Sequence, residues 1–461
     1  MAMNLGKLWL FIRVKAQTFA QSLLVQLLSF TLIGKWDKVD KEYSNLIRRG
    51  GVFLRGTPKS VFELSSEWSK CYQLWNQGNV SLATRIRRSI LEQLYDFNKV
   101  SRNYYPPMLS DQYFGPIGHH AFTGIHIAAQ RIGIIPSGER IGIIGPELVQ
   151  NDFLSLYKSQ LRFVNYVEGK GFTEMPNNWH LAERIEMVRG HDEFIESYEL
   201  VDLVFRTKES TITNSFFEFD SQRLPQAYDA LHKFGFKEGD WFVGLHIRDG
   251  STKPSLRNQN IENYLPAVRE IIARGGWVIR IGGTEMPPLP KLPQLIDLVT
   301  EPKARKDLHL FVLSKAKFFI GTCSGPQYFP SLFGVPTLFT NQIGIGRSIL
   351  TFSKHSFHLP KIYLKRDKSK PSFAEILSSP FGFGELTLKE YAKLGIYVQE
   401  NTAEEILEAV IEMFNRISGG IPPREAEFDA RVSAIRSQFE WTAKGRFSNS
   451  YLQANENWFL R

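Results

Sequence analysis

The sequence predicts an α/β fold: two Rossmann-like domains preceded by an N-terminal helical extension. Three observations carry this reading. From residue 105 onward, short β-branched and aromatic runs alternate with amphipathic stretches of helical length. Two of those runs open into turns rich in Gly, Ser and Thr, as strands do before a ligand-binding edge. Finally, 461 residues at 43% hydrophobic and 22% charged describe a folded chain of about two to four domains.

The 56 basic residues exceed the 47 acidic ones, for a net charge of +9. Residues 1–100 carry 15 bases and 7 acids, whereas residues 101–461 are nearly balanced at 41 and 40. A nucleic-acid enzyme spreads its positive charge along the working groove, so this distribution argues against one. The only two cysteines, Cys71 and Cys323, lie far apart, which excludes a disulfide framework or a zinc ribbon and fits a reducing compartment.

Residues 1–36 hold Lys7, Arg13, Lys15 and Lys35 and no acid. Between Lys15 and Lys35 the chain is uncharged, but Gln17, Gln21 and Gln26 keep its net hydrophobicity low. The segment reads as an amphipathic helix lying on an anionic membrane face, and no small-residue cleavage site closes it. Residues 37–104 read as a helical module, with one hairpin of the tetratricopeptide sort formed by 60–76 and 80–98 around Gln77-Gly78-Asn79. Tyr104 to Pro107 marks the boundary to the α/β part.

Strands are expected at Arg140–Gly145, Leu161–Val167, Trp241–His246, Trp277–Ile281, Lys317–Gly321 and Pro336–Phe339. Helices are expected at Gly118–Ile132, His180–Arg189, Pro225–Phe234, Asn260–Arg274, Leu308–Lys315, Gln327–Phe333 and Thr402–Ile417. The count gives one Rossmann-like domain over 105–238 and a second over 239–418. A tail over 419–461 is expected to cross back onto the first half.

The richest chemistry lies in the second half. The run ending at His246 continues into Ile247-Arg248-Asp249-Gly250, so His246 and Arg248 alternate onto one face at a strand's carboxyl end. There the planar donor fork of Arg248 suits a diphosphate. Gly321-Thr322-Cys323-Ser324-Gly325 follows another run and leads into the expected helix at Gln327, giving backbone N–H groups, hydroxyls and a helix N-terminus for an anion. Arg280 sits inside the strand that ends at Gly282-Gly283, where it either pairs structurally or faces an anionic ligand. Arg257 and Asn258, just before the helix at Asn260, reach the same crevice in this reading. In the first half, Gly118, His119 and His120 open a helix expected to face the interdomain cleft, suiting an acceptor or a catalytic base. The chain has no His/Cys cluster at metal spacing, no Walker A loop, no G-x-S-x-G elbow, no D-x-D sugar-nucleotide motif and no G-x-G-x-x-G after a strand.

At these residues the chain resembles glycosyltransferases of the two-Rossmann, GT-B architecture. The H-x-R of His246 and Arg248 resembles that of the fucosyltransferase-like group, in which the Arg contacts the donor diphosphate. The segment Phe318 to Asn341 looks like the donor-phosphate loop of many GT-B enzymes. Gly244 to Asn258, Asn263-Tyr264, Trp277 to Gly282 and Asp297 to Asn341 are similar to a family of inferred bacterial glycosyltransferases from surface-polysaccharide or glycoconjugate clusters. The resemblance covers about residues 105–415. Asp249-Gly250 after the Arg departs from the fucosyltransferase pattern, so a GDP donor does not follow.

The resemblance implies transfer of a hexose-like sugar from a nucleotide-diphosphate donor to an acceptor hydroxyl, without a metal and with no cofactor beyond the donor substrate. His246, Arg248, Arg257, Asn258, Arg280, Gly282, Gly321, Thr322, Ser324, Gly325 and Gln327 would hold the donor. Asp249 or His119 would serve as base, and Gly118, His119 and His120 would meet a glycan, lipid-linked or protein acceptor. The expected location is cytoplasmic, peripheral on the inner face of the membrane, with a homo-oligomer allowed and nucleic acid excluded as a partner. A GT-B-like sugar-nucleotide epimerase or hydrolase and a non-catalytic scaffold are the alternatives.

Overall fold

The computed structural model describes residue 86 and residues 108–109, 117–134, 140–144, 152–157, 161–165, 186–187, 194–195, 200, 203–204, 215–249, 255–346, 353–383, 386–439 and 445–461. The expected membrane-interfacial segment 1–36 lies outside these residues, as does the tetratricopeptide-like hairpin but for residue 86. No helix among the described residues is long and apolar enough to cross a membrane.

The chain divides into two compact units. The first takes in residues 1–74, 81–116 and 133–197. It holds a parallel sheet in the order β1 (Met108–Leu109), β2 (Arg140–Ile144), β3 (Leu161–Asn165). It also holds an antiparallel pair, β4 (Glu186–Met187) with β5 (Phe194–Ile195). The helix expected over His180–Arg189 is thus replaced at Glu186–Met187 by a strand. A reading of local periodicity has no access to the partner strand that lies beyond Gly190 and completes the ladder.

The second unit comprises residues 75–80, 117–132 and 198–461. Its centre is a sheet of six parallel strands: β6 (Phe242–His246), β7 (Trp277–Arg280), β8 (Leu295–Asp297), β9 (Phe319–Gly321), β10 (Thr337–Gln342) and β11 (Phe357–Pro360). They run in the order β11-β10-β9-β6-β7-β8. This is the doubly wound order in which the first three strands step one way from β6 and the next three step the other. Right-handed crossovers in opposite directions place α3 (Leu265–Ala273) and α4 (Pro302–Lys315) on opposite faces. Accordingly α3 packs with α8 (Ala403–Ile417), while α4 packs with α2 (Leu224–His232). Covered on both sides, β6, β9, β10 and β11 are buried at every residue, which is why β6 and β9 read as largely apolar runs.

α1 (Ile117–Arg131) belongs to this second unit, where it packs on the turns 325–333. Arg131 donates to the carbonyl of Phe216 and lies over the ring of Phe217 at 5.0 Å. Short elements complete the unit: α5 (Phe373–Leu377), α6 (Pro380–Phe383), α7 (Leu388–Lys393) and an antiparallel pair of β12 (Ile362–Lys365) and β13 (Ile396–Gln399).

The tail over 419–461 is grouped with the second unit. It forms α9 (Glu425–Arg436) and α10 (Asn449–Phe459), both within the second unit. The buried carboxylate of Glu412 on α8 explains the docking. It accepts from the N–H groups of Asn449 and Ser450 at 3.0 and 3.1 Å and from the Ser448 hydroxyl at 2.9 Å, while pairing with Arg416 at 2.8 Å. A carboxylate at a helix N-terminus satisfies donors that the helix itself leaves open.

Candidate functional site

In a doubly wound sheet, ligands bind beyond the carboxyl ends of the strands at the point where the strand order reverses. Here that point falls between β6 and β9, which end at His246 and Gly321. The sheet continues past both ends through two crossing hydrogen bonds. The N–H of Thr322 donates to the carbonyl of His246 at 3.2 Å, and the N–H of Arg248 donates to the hydroxyl of Thr322 at 2.9 Å. Arg248 and Thr322, 74 residues apart in sequence, are therefore fastened together at the reversal point.

From Arg248 the chain returns to the same spot. Gln259 N–H donates to the Arg248 carbonyl at 2.9 Å, and Arg248 Nε donates to Asn258 Oδ1 at 3.4 Å. Arg257 sits on the same turn, which closes through Arg257 N–H to Ser255 Oγ at 3.2 Å and Gln259 Nε2 to the Arg257 carbonyl at 2.8 Å. The segment then crosses the sheet edge toward β10 and β11. Asn260 N–H donates to Glu400 at 2.8 Å, Asn263 Nδ2 to the carbonyl of Asn401 at 3.1 Å, and Tyr264 shares a hydrogen bond with Thr340 at 2.8 Å.

Beneath this crossing is a buried amide pair. Asn341 and Asn401 each donate a backbone N–H to the other's side-chain oxygen at 2.7 Å, and Asn341 Nδ2 donates to the Tyr264 hydroxyl at 2.9 Å. Asn341 has φ 54°, a left-handed conformation that Asn tolerates better than most side chains. Asn401 Nδ2 donates to the Pro360 carbonyl at 2.8 Å, so one residue ties β10 to the end of β11.

His246 is buried, and its Nδ1 meets the Ile281 carbonyl at 3.1 Å, which fixes the proton on Nδ1. Burial above all, with the charges of Arg280 and Arg248 adding to it, lowers its pKa to about 4 against the bond to Ile281. The ring is therefore neutral at pH 7, and its Nε2 has no hydrogen-bond partner among the described residues.

Arg280, left open by the sequence, is wholly buried and donates to Asp297 at 3.2 Å and to the Pro287 carbonyl at 2.8 Å. Asp297 also accepts from Leu289 N–H at 2.7 Å, so the pair closes the 282–298 loop. Burial lowers the Arg280 pKa, while Asp297 and then Asp249 oppose that shift, which puts Asp249 within the field of Arg280. Gly282 lies below Met286 and Val299, where an added Cβ would approach the Met286 sulfur to 2.7 Å.

The turn after β9 corrects one expectation. Gln327–Phe333 is not an α-helix but two 3-10 turns, Gly325–Tyr328 and Pro330–Phe333. Pro326 and Pro330 lack N–H groups, so neither can enter an α-helical ladder. A four-residue turn has little macrodipole, and the expected helix N-terminus for an anion is absent. Ser324 and Gly325 remain half-exposed at the carboxyl edge, and the Ser324 side chain makes no cap to the turn. Gly321 is required by packing, because a Cβ there would lie 2.5 Å from the Gln327 Cβ. Gln327 itself is buried, with its amide exchanging hydrogen bonds with Gln342 at 3.0 and 3.3 Å.

Gly118, His119 and His120 lie in the first turn of α1. His120 is fully buried, edge-on to Phe329 at 6.3 Å between centroids. The side chain of His119 lies outside the described residues. The structure thus brings together His246, Arg248, Asn258 and Thr322, and links Arg280 to them through His246 and Asp249. It commits Gln327 and His120 to packing partners.

The sequence reading missed Lys361, Asn401 and Glu400. The first follows an apolar run with no motif around it, and the other two lie in an ordinary polar turn before α8. Among the described residues no group of three or more His, Cys, Asp or Glu side chains gathers as a metal-binding cluster.

The fold and this edge define a doubly wound α/β protein whose strand-reversal point carries an arginine and hydroxyl groups. No protein-family model matches the chain, and no curated protein matches it. Among solved structures it is similar to a family 9 glycosyl transferase from Veillonella parvula, with 11% identity, 56% of this chain and 86% of that one covered, and a TM-score of 0.35. It is also similar to the E. coli ADP-heptose LPS heptosyltransferase II, with 9% identity, 68% and 98% coverage and a TM-score of 0.39. A third is the iron-containing dodecameric glycosyltransferase TibC of enterotoxigenic E. coli, with 11% identity, 68% and 75% coverage and a TM-score of 0.33. Likenesses this remote assign neither a family nor a substrate.

Proposed function

We propose that this chain is a glycosyltransferase of GT-B type that moves a sugar from a nucleotide-diphosphate donor to an acceptor hydroxyl. The observation that carries the reading is the fastening of Arg248 to Thr322 at the point where the strand order reverses. A permanently charged, half-exposed guanidinium held at that edge suits the diphosphate of a donor.

In the reaction the bond from the sugar's anomeric carbon to the diphosphate oxygen breaks, and the oxygen keeps the electron pair. The acceptor oxygen forms the new bond and gives up its proton. Arg248 offsets the charge growing on the leaving diphosphate, with Thr322, Ser324 and the Gly325 backbone beside it. The protein's own groups supply this stabilisation in our reading, with no resident metal or cofactor. Asp249, in the field of Arg280, and His119 at the start of α1 are the proposed bases. His246 is neutral and positions the end of β6. The acid-free basic segment 1–36 supports attachment to an anionic membrane face and a lipid-linked or surface-glycan acceptor.

Thermal-shift titration of the full chain with UDP, GDP, CMP and dTDP tests the donor class. A selective rise in Tm is expected for one nucleotide, because a ligand that binds only the native state stabilises it. No rise with any nucleotide, and no transfer from the matching sugar nucleotides, would overturn the proposal.

A further inference from the structure

Lys361 follows the end of β11 on the carboxyl edge of the sheet, where its N–H donates to the Gln342 carbonyl at 2.9 Å. It is 3% exposed, and its ammonium makes one long hydrogen bond, to the Asn258 carbonyl at 3.4 Å. No carboxylate among the described residues lies within ion-pair distance of it. A buried ammonium with two unused donors and no ion pair is costly for the fold.

Asn258 is also the residue whose side-chain oxygen accepts from Arg248. Two cations, one following the central strand β6 and one following the edge strand β11, therefore converge on the two oxygens of one asparagine. Structural packing alone gives no reason to bring them there, whereas a polyanion between them would.

We propose that Lys361 is a second cationic contact for the diphosphate of the donor, held beside Arg248 by Asn258. The inference rests on the donor reading above and extends it to a residue outside every motif of the sequence. Burial lowers the Lys361 pKa to about 8, opposed by the Glu400 carboxylate and by Cys323 when its thiol is ionised; Arg248 is the other charged group held at Asn258. An arriving diphosphate raises that pKa again, so binding near pH 8 takes up a fraction of a proton.

The test is calorimetric titration of the full-length protein at pH 8 with UDP, GDP and ADP in turn, in two buffers of different ionisation enthalpy. Wild type is expected to bind one of them with proton uptake. Lys361→Met is expected to bind it at least about ten-fold more weakly without uptake, while the ligand-free variant melts higher because the desolvated charge is gone. Lys361→Arg is expected to retain binding and lose the uptake. Equal affinity and equal uptake in wild type and Lys361→Met overturn the role of Lys361 and leave the donor reading standing. If wild type binds none of the three and dTDP neither, the donor reading falls and this inference with it. Should Lys361→Met not fold, absence of proton uptake by wild type on binding is by itself the overturning result.

Discussion

The hydroxyl of Thr322 accepts the backbone N–H of Arg248 at 2.9 Å, across a separation of 74 residues. The Thr322 N–H in turn donates to the carbonyl of His246 at 3.2 Å. Adjacent parallel strands normally diverge where the connections leave in opposite directions, and that divergence opens the crevice. Here a side-chain bond holds the two strand ends together one step further out. The guanidinium is thereby presented from a fixed backbone instead of a free loop, which lowers the ordering cost of gripping an anion.

Arg248→Ala is expected to lower kcat/KM by roughly 10²–10³-fold while leaving the melting temperature nearly unchanged, since the side chain is half-exposed. Arg248→Lys is expected to recover only a part, because an ammonium lacks the planar fork. Steady-state transfer assays with the donor found by thermal shift check both.

Thr322→Val keeps the shape and removes the acceptor. The Arg248 N–H then loses the Thr322 hydroxyl as its acceptor, at a cost of about 1–3 kcal/mol. Thr322→Ser is expected to restore most of that stability. Denaturant unfolding of the three proteins measures it, and a valine variant as stable as wild type would show that the bond is incidental.

Acid stability follows from His246. Its folded pKa of about 4 lies below the ordinary value of 6.5, so the unfolded chain takes up the proton first as pH falls. The contribution is whole above pH 6.5 and is lost progressively down to pH 4, by on the order of 3 kcal/mol. A plot of unfolding free energy against pH is expected to show that decline, and His246→Gln is expected to flatten it.

Asn401→Ala deletes the partner of the Asn341 N–H and of the Pro360 carbonyl together. A loss of roughly 2–4 kcal/mol is expected, as for two buried groups left unpaired. Hydrogen exchange at Asn341 is expected to accelerate, which distinguishes this local release from a general weakening.

Much of the second unit could be read from residues alone. Phe242–His246, Trp277–Arg280 and the start of β10 up to Phe339 are largely apolar because both faces of the sheet are covered, and such runs are visible without coordinates. The strands Leu295–Asp297 and Phe357–Pro360 escaped notice because Pro290, Pro293 and Pro360 interrupt any pattern near them. The helix expected at Gln327 failed for a reason equally present in the sequence, namely Pro326 and Pro330 four residues apart. For Arg280 the sequence showed a charge in a strand, and Asp297 as its partner came only with the fold.

Local chemistry settled most of the central strands and long helices of the second unit, because burial on one or two faces writes a period into the chain. It also marked Arg248, Thr322 and Ser324 as residues suited to an anion. Strand order, the meeting of Arg248 with Thr322 and the arrival of Lys361 at Asn258, 103 positions away, were decided by tertiary structure alone. Contacts between segments so distant leave no periodic trace, since the energy that selects them comes from packing the whole sheet.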